Sequence, residues 1–187
     1  MPFAVAIACL NPCLCDTFSL VKPLGHPDTF HVQAAHGWLE LGNPLEANQE
    51  LEKIPPALGV HPDVLEVRWQ ISAKAKEWEA CVGLAEGIIA LSPDNPFGWI
   101  HRSFALHELK RTEEALDNLI RVTKKFAEEP IIPYNLACYA CQLGNLKGAL
   151  SWLKKAFALG HAAQVKLMAL SDPDLIPLWG RIAQIEL

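Results

Sequence analysis

Apolar and small residues recur along this chain in short stripes at helical spacing, and each stripe stops at a polar turn. Trp99, Ser103, Leu106 and Leu109 make one such stripe, and Leu136, Ala137, Ala140 and Leu143 make another. Turns follow, centred on Gly42, Lys76, Lys110 and Gly144. Glycine at two of the four suits a helix that ends in the left-handed region. After each turn comes a second stripe: Ala47, Leu51 and Ile54; Cys81, Ala85 and Ile88; Ala115, Leu119 and Val122; Ala149, Leu153 and Ala156. Its first member is always small, as two closely approaching helices require, and the following intervals hold one helical face. Prolines near the joints (Pro62, Pro93, Pro96, Pro130 and Pro133) stop or restart helices.

The stripes keep a strict period. Gly42-Asn-Pro-Leu-Glu-Ala47, Lys76-Glu-Trp-Glu-Ala-Cys81, Lys110-Arg-Thr-Glu-Glu-Ala115 and Gly144-Asn-Leu-Lys-Gly-Ala149 start 34 residues apart without a slip. Extended both ways, the register divides the chain into units 28–61, 62–95, 96–129 and 130–163. Residues 1–27 precede them as an apolar arm and 164–187 follow.

On these residues the sequence resembles the tetratricopeptide repeat (TPR) family, whose unit is a 34-residue helix–turn–helix. The resemblance rests on Ala35, Ala47, Leu51 and Ile54 in the first unit, and on Trp99, Ser103, Leu106, Ala115, Leu119 and Val122 in the third. In the fourth it rests on Leu136, Ala137, Ala149, Leu153 and Ala156, and in all it covers about 136 of 187 residues. It implies an all-α fold, a right-handed α-α superhelix of about four units closed by C-terminal capping helices. The second unit departs most, with Trp69 where a small residue is usual and Ser72 where a bulky one is usual. Pro44 beside the first turn is also atypical, though a proline that opens a helix is tolerated. Beyond Gln164 the turn block is missing. Ser171-Asp172-Pro173-Asp174 looks like an N-cap followed by proline, and Leu175, Leu178, Trp179 and Ile182 supply a further apolar face. Segment 164–187 thus reads as the atypical end a stacked array needs. Tyr134-Asn-Leu-Ala-Cys-Tyr139 and Ser171-Asp-Pro-Asp-Leu175 are similar to a closing segment of bacterial members, which implies a bacterial cytoplasmic protein.

Composition narrows the field without naming a role. With 51% hydrophobic and 20% charged residues, low-complexity disorder is excluded for the bulk of the chain. A formal net charge of −5 gives no reason to expect nucleic acid as the main partner. The longest apolar runs fall well short of the ~20 residues of a membrane helix. The segment Met1–Val21 is apolar but has no basic start, and Asn11-Pro12 interrupts it, so it makes a poor secretory signal. Ala6-Ile7-Ala8-Cys9 only faintly resembles a lipoprotein box. The arm reads as a cover for the exposed end of the fold or as a tail, and its docking into a neighbour's groove would give self-association.

Six cysteines, Cys9, Cys13, Cys15, Cys81, Cys138 and Cys141, are better read as reduced thiols than as a disulfide framework. Cys9, Cys13 and Cys15 have the softness to hold zinc or copper(I) but lack a fourth ligand. Cys138 and Cys141 have redox-pair spacing on a helix that wants small residues, so structural use competes with thiol chemistry. His31 and His36, and His101 and His107, miss the i, i+4 spacing of a helical metal site. Asp172 and Asp174 suggest paired carboxylates, yet one is a plausible cap. Lys124-Lys125 and Lys154-Lys155 read as solvated surface at helix ends. No nucleophile, base and orienter assemble, and no cofactor or metal is called for.

The resemblance implies a concave groove lined by first helices, the usual seat of a peptide or partner helix. Projected onto this chain, its lining includes His36, Gln70, Phe97, His101, Phe104, Tyr134, Asn135 and Gln142. Phe97, Phe104 and Tyr134 could equally pack between neighbouring units. Val32, His36, Val67, Phe97 and His101 stand where a chaperone-tail clamp would need Lys and Asn, so that use is disfavoured. Asn135 matches the polar place that hydrogen-bonds a peptide backbone. The expectation is a non-enzymatic interaction module with a protein or peptide partner; the alternative is a thiol redox or metal-handling protein.

Overall fold

The computed structural model describes residues 22–186, so the arm Met1–Val21, with Cys9, Cys13 and Cys15, lies outside the described residues. Among those described the fold is all-α. Its helices are α1 (Asp28–Glu40), α2 (Pro44–Glu52), α3 (Pro62–Lys74), α4 (Trp78–Leu91), α5 (Pro96–Glu108), α6 (Thr112–Ile120), α7 (Ile131–Gln142), α8 (Leu146–Leu159), α9 (Ala162–Ala169) and α10 (Trp179–Ala183). Short 3-10 turns at Pro56–Leu58 and Pro173–Leu178 complete them.

The 34-residue period is written into the backbone. Among the described residues those with positive φ are Gly42, Lys76, Lys110 and Gly144, with φ of 78°, 59°, 65° and 79°. Each lies two residues past the end of a first helix, where a left-handed residue turns the chain back. Just beyond, Asn43 and Asn145 cap α2 and α8 by accepting from the Glu46 and Gly148 N–H groups. Pro44 stands in the first turn of α2, where its missing N–H is one the helix would leave unpaired anyway. Pro62 and Pro96 begin α3 and α5 in the same way.

The chain divides into two compact bodies at Leu109 and Lys110. In the N-terminal body α1 pairs with α2, α3 with α4, and α5 lies on α4. Val32, Ala35, Leu39, Ala47, Leu51, Ile54, Val64 and Val67 form its first core, with Leu24 of the entering chain packed against it. The small residues Ala35, Ala47, Cys81 and Ala85 have no exposed surface, which lets the helix axes approach. In the C-terminal body α7 is sheathed by α6, α8 and the 3-10 turn at 173–178, with α9 on α8 and α10 on the turn. Residues Ile131–Cys141 of α7 are buried throughout, so α7 is the central helix of that body.

Candidate functional site

In the N-terminal body the departures of the second unit become an aromatic cluster. Trp69 of α3 is fully buried. Its ring meets His101 edge-on at 4.4 Å, Phe97 at 6.0 Å and Phe104 at 6.3 Å, and Phe104 also meets Trp78 at 5.6 Å. Phe97 and His101 stack at 3.6 Å. Burial holds the His101 pKa down to about 4, so its ring is neutral at pH 7, and Nδ1 contacts the Phe97 carbonyl at 2.9 Å. The Trp69 Nε1–H is buried with no hydrogen-bond partner. The volume that α3 gains at Trp69 is therefore taken up by α5, and Ser72 stays half-buried.

Beside this cluster the polar residues of α1 and α3 come together. Burial lowers the His36 pKa, while Glu40, Asp63 and Gln70 oppose the shift. Burial raises Glu66 to about 7, although Asn95 Nδ2 donates to its Oε1 at 2.9 Å; nearby Asp63 adds to the rise. Of the predicted lining in this body, His36, Gln70 and Phe97 are half-exposed, whereas His101 and Phe104 are buried.

The C-terminal body closes through a polar clasp. Asp172 is the N-cap of the 173–178 turn and is 7% exposed. Its Oδ2 accepts from the Tyr134 hydroxyl at 2.8 Å and from the Cys138 thiol at 3.5 Å; its Oδ1 accepts from the Asp174 N–H at 2.9 Å. Trp179 Nε1 donates to the Asp172 carbonyl at 3.2 Å, and Gln142 Nε2 to that of Asp174 at 2.9 Å. The two phrases that resemble a bacterial closing segment are thus in direct contact.

Tyr134 and Gln142 are committed to this clasp. Asn135, 4% exposed on the same helix, is not one of the clasp residues. From the sequence Asp172 reads as a cap or as one of two paired carboxylates with Asp174, and its tie to Tyr134 is missed. The signal for more was the second polar phrase 38 residues upstream, which becomes informative once the two are in contact.

Cys138, Asp172 and Asp174 bring potential ligand atoms within 4.8 Å of one another. The chemistry of that donor set suits a hydrogen-bonded clasp better than a metal, because both Asp172 oxygens already accept from Tyr134, Cys138 and the Asp174 N–H. Burial, reinforced by Asp172, pushes the Cys138 thiol well above its ordinary range. Burial also raises Cys141, and Cys81 to about 12. A nucleophilic or metal-binding thiol needs the opposite shift.

No protein-family model matches the sequence, and a search of curated proteins finds no match. Solved structures do match. The thermophilic TPR protein TTC0263 of Thermus thermophilus superposes with a TM-score of 0.64 at 17% identity, over 84% of this chain and 100% of that one. YrrB, described as a TPR protein with an unusual peptide-binding site, gives 0.61 at 18% identity, over 78% of this chain and 75% of that one. PcrH, solved in complex with the chaperone binding region of PopB, gives 0.51 at 21% identity, over 65% and 91%. The fold is that of the tetratricopeptide repeat proteins. No helix among the described residues is long and apolar enough to cross a membrane.

Proposed function

We propose that this protein is a non-enzymatic interaction module that receives a peptide or partner helix on the faces of its first helices. The observation that carries the reading is Asn135. It is a polar side chain on the mostly apolar first helix α7, 4% exposed, whose amide can pair with the backbone of an incoming peptide. The N-terminal body, taken by itself, offers polar residues on its own first helices, Gln70 of α3 and His36 of α1, with the apolar Phe97 of α5. Similarity to YrrB and to PcrH, each with a peptide or protein region named in its description, supports a protein partner. Free, buried Cys81, Cys138 and Cys141 suit a reducing compartment, and the cytoplasm is the setting we assign.

The test is affinity capture from the native host with the wild type, Asn135→Ala and Gln70→Ala. The expected result is a partner recovered by the wild type and reduced at least fivefold by Asn135→Ala, with Gln70→Ala showing a smaller loss. Equal recovery by all three proteins overturns the assignment of the face.

A further inference from the structure

The two lysine pairs that read as solvated surface, Lys124-Lys125 and Lys154-Lys155, are 30 residues apart and so out of step with the repeat. In the C-terminal body one lysine of each pair, Lys124 and Lys155, lines the same cleft. Helix α6 ends at Ile120 after nine residues, whereas α8 runs for fourteen. The chain then winds through turns from Arg121 to Glu128, held by Val122 N–H to the Leu119 carbonyl and Phe126 N–H to the Val122 carbonyl. Where a full helix would have covered α7 and α8, a cleft of about 370 Å³ opens. That lies near the low end of the ~300–1,000 Å³ range of ligand clefts.

Its floor is apolar, formed by Phe126, Ile132, Pro133 and Trp152, and the charged side chains lining it are Lys124 and Lys155. Glu128 and Glu129 follow in the same loop without lining the cleft. The Lys155 ammonium stands 4.1 Å from the Trp152 ring centroid, which holds a cation directly over the aromatic wall. Lys124 and Lys155 are both exposed, so their charges reach solvent at the mouth. On a chain of net charge −5, this local excess of positive charge over an apolar floor selects for an anion that also carries an apolar group.

We propose that this cleft is a second docking site, separate from the first-helix faces, for an acidic peptide segment. One large apolar side chain of the segment enters between Phe126 and Trp152, and flanking Asp or Glu carboxylates pair with Lys124 and Lys155. A groove for a whole amphipathic helix would be longer; the volume fits one anchor, or two smaller ones.

The experiment uses the full chain and a decapeptide library with a central Leu, Phe or Trp. The flanking residues are Asp/Glu in one series, Ser in a second and Lys in a third. Binding is read from the indole N–H resonance of Trp152, assigned with Trp152→Phe, and from the affinity of the lead peptide. The expected result is that the acidic series binds at least tenfold tighter than the Ser series and that the Lys series does not bind. Lys124→Glu/Lys155→Glu should abolish the preference, while its unchanged circular dichroism and melting temperature show an intact fold. Replacing the central apolar residue by Gly should also remove binding. An acidic series no better than the other two, or equal binding to the charge-reversed protein, overturns the proposal. Dodecanoate binding tighter than every acidic peptide overturns it too, in favour of a site for a free amphiphile.

Discussion

The N-terminal and C-terminal bodies solve one problem, the burial of polar atoms on first helices, in opposite ways. Around Trp69 the packing is aromatic and one donor, the indole N–H, is left without a partner. Around Asp172 the packing is polar, and both carboxylate oxygens, the Tyr134 hydroxyl and the Cys138 thiol are joined in one network. An orphan buried donor is tolerable when the large ring that carries it buries much apolar area. A buried carboxylate has no such compensation and needs every partner it can find. The lesson is that the array tolerates an unusual residue inside the stack through shape, and closes its end through hydrogen bonds.

The sharpest way to break this contrast is Trp69→Ala, which should cost about 3–5 kcal/mol in denaturant unfolding. Trp69→Phe removes the orphan N–H while keeping most of the ring, and should cost under about 1.5 kcal/mol. If the two substitutions cost the same, shape is not what sustains the N-terminal cluster. Asp172→Ala comes next. It leaves the Tyr134 hydroxyl without its acceptor and removes a cap, for about 2–3 kcal/mol. Paired with Tyr134→Phe in a double-mutant cycle, it should show a coupling of about 1 kcal/mol or more; additivity would mean that the clasp is two independent contacts.

The N-terminal body should also carry a pH signature. Burial raises Glu66 from 4.5 to about 7, so the folded state binds the extra proton and stability falls as pH rises through that window. Burial lowers His101 from 6.5 to about 4, so its contribution is complete above 6.5 and is lost as pH falls toward 4. His36, also lowered by burial, acts in the same direction as His101. Between about 4.5 and 6.5 the carboxyl and the imidazoles oppose each other. Glu66→Gln should therefore unmask a decline in stability toward acid in that range, and raise stability at pH 8 by about 1–3 kcal/mol. A profile with the wild-type shape would mean that Glu66 is ionised in the fold at neutral pH.

The smallest effects lie at the turns, where each body holds one glycine and one lysine in the left-handed region. Lys76→Gly and Lys110→Gly should each gain up to about 1 kcal/mol, because the side chain gives nothing back for the φ it occupies. Gly144→Ala should lose about 1 kcal/mol by conformation alone, since an added Cβ would meet no atom within 4 Å. Unequal gains at Lys76 and Lys110 would show that the two bodies differ in more than their buried polar atoms.

The repeat was legible in the sequence because its causes are local. A turn residue, a small residue five places later and an apolar one four beyond that fix each hairpin without reference to the rest of the chain. The Trp69 and Ser72 exchange was legible as a departure, but its resolution depends on Phe97 and His101 some thirty residues away. Asp172 read as a cap from its neighbour Pro173; its tie to Tyr134 is a tertiary contact that no local pattern contains. Tyr134, Gln142, His101 and Phe104 fitted a projected lining by position, yet position on a helix does not say whether a neighbour already covers it. The Lys124 and Lys155 cleft was invisible for another reason. Residues 121–129 contain neither glycine nor proline, so nothing in them announces that α6 ends at Ile120.

The clasp has a consequence for how such a chain can grow. A repeat array lengthens by copying its unit, and the turns at Gly42, Lys76, Lys110 and Gly144 would accept another copy in register. The segment 130–163 is the exception. Duplicating it would leave the upstream copy with a buried tyrosine hydroxyl and a buried thiol but no aspartate, since one Asp172 serves only the last helix pair. Lengthening that conserves every hydrogen bond must therefore happen upstream of Pro130, and Tyr134, Cys138 and Asp172 together act as a terminator of the array.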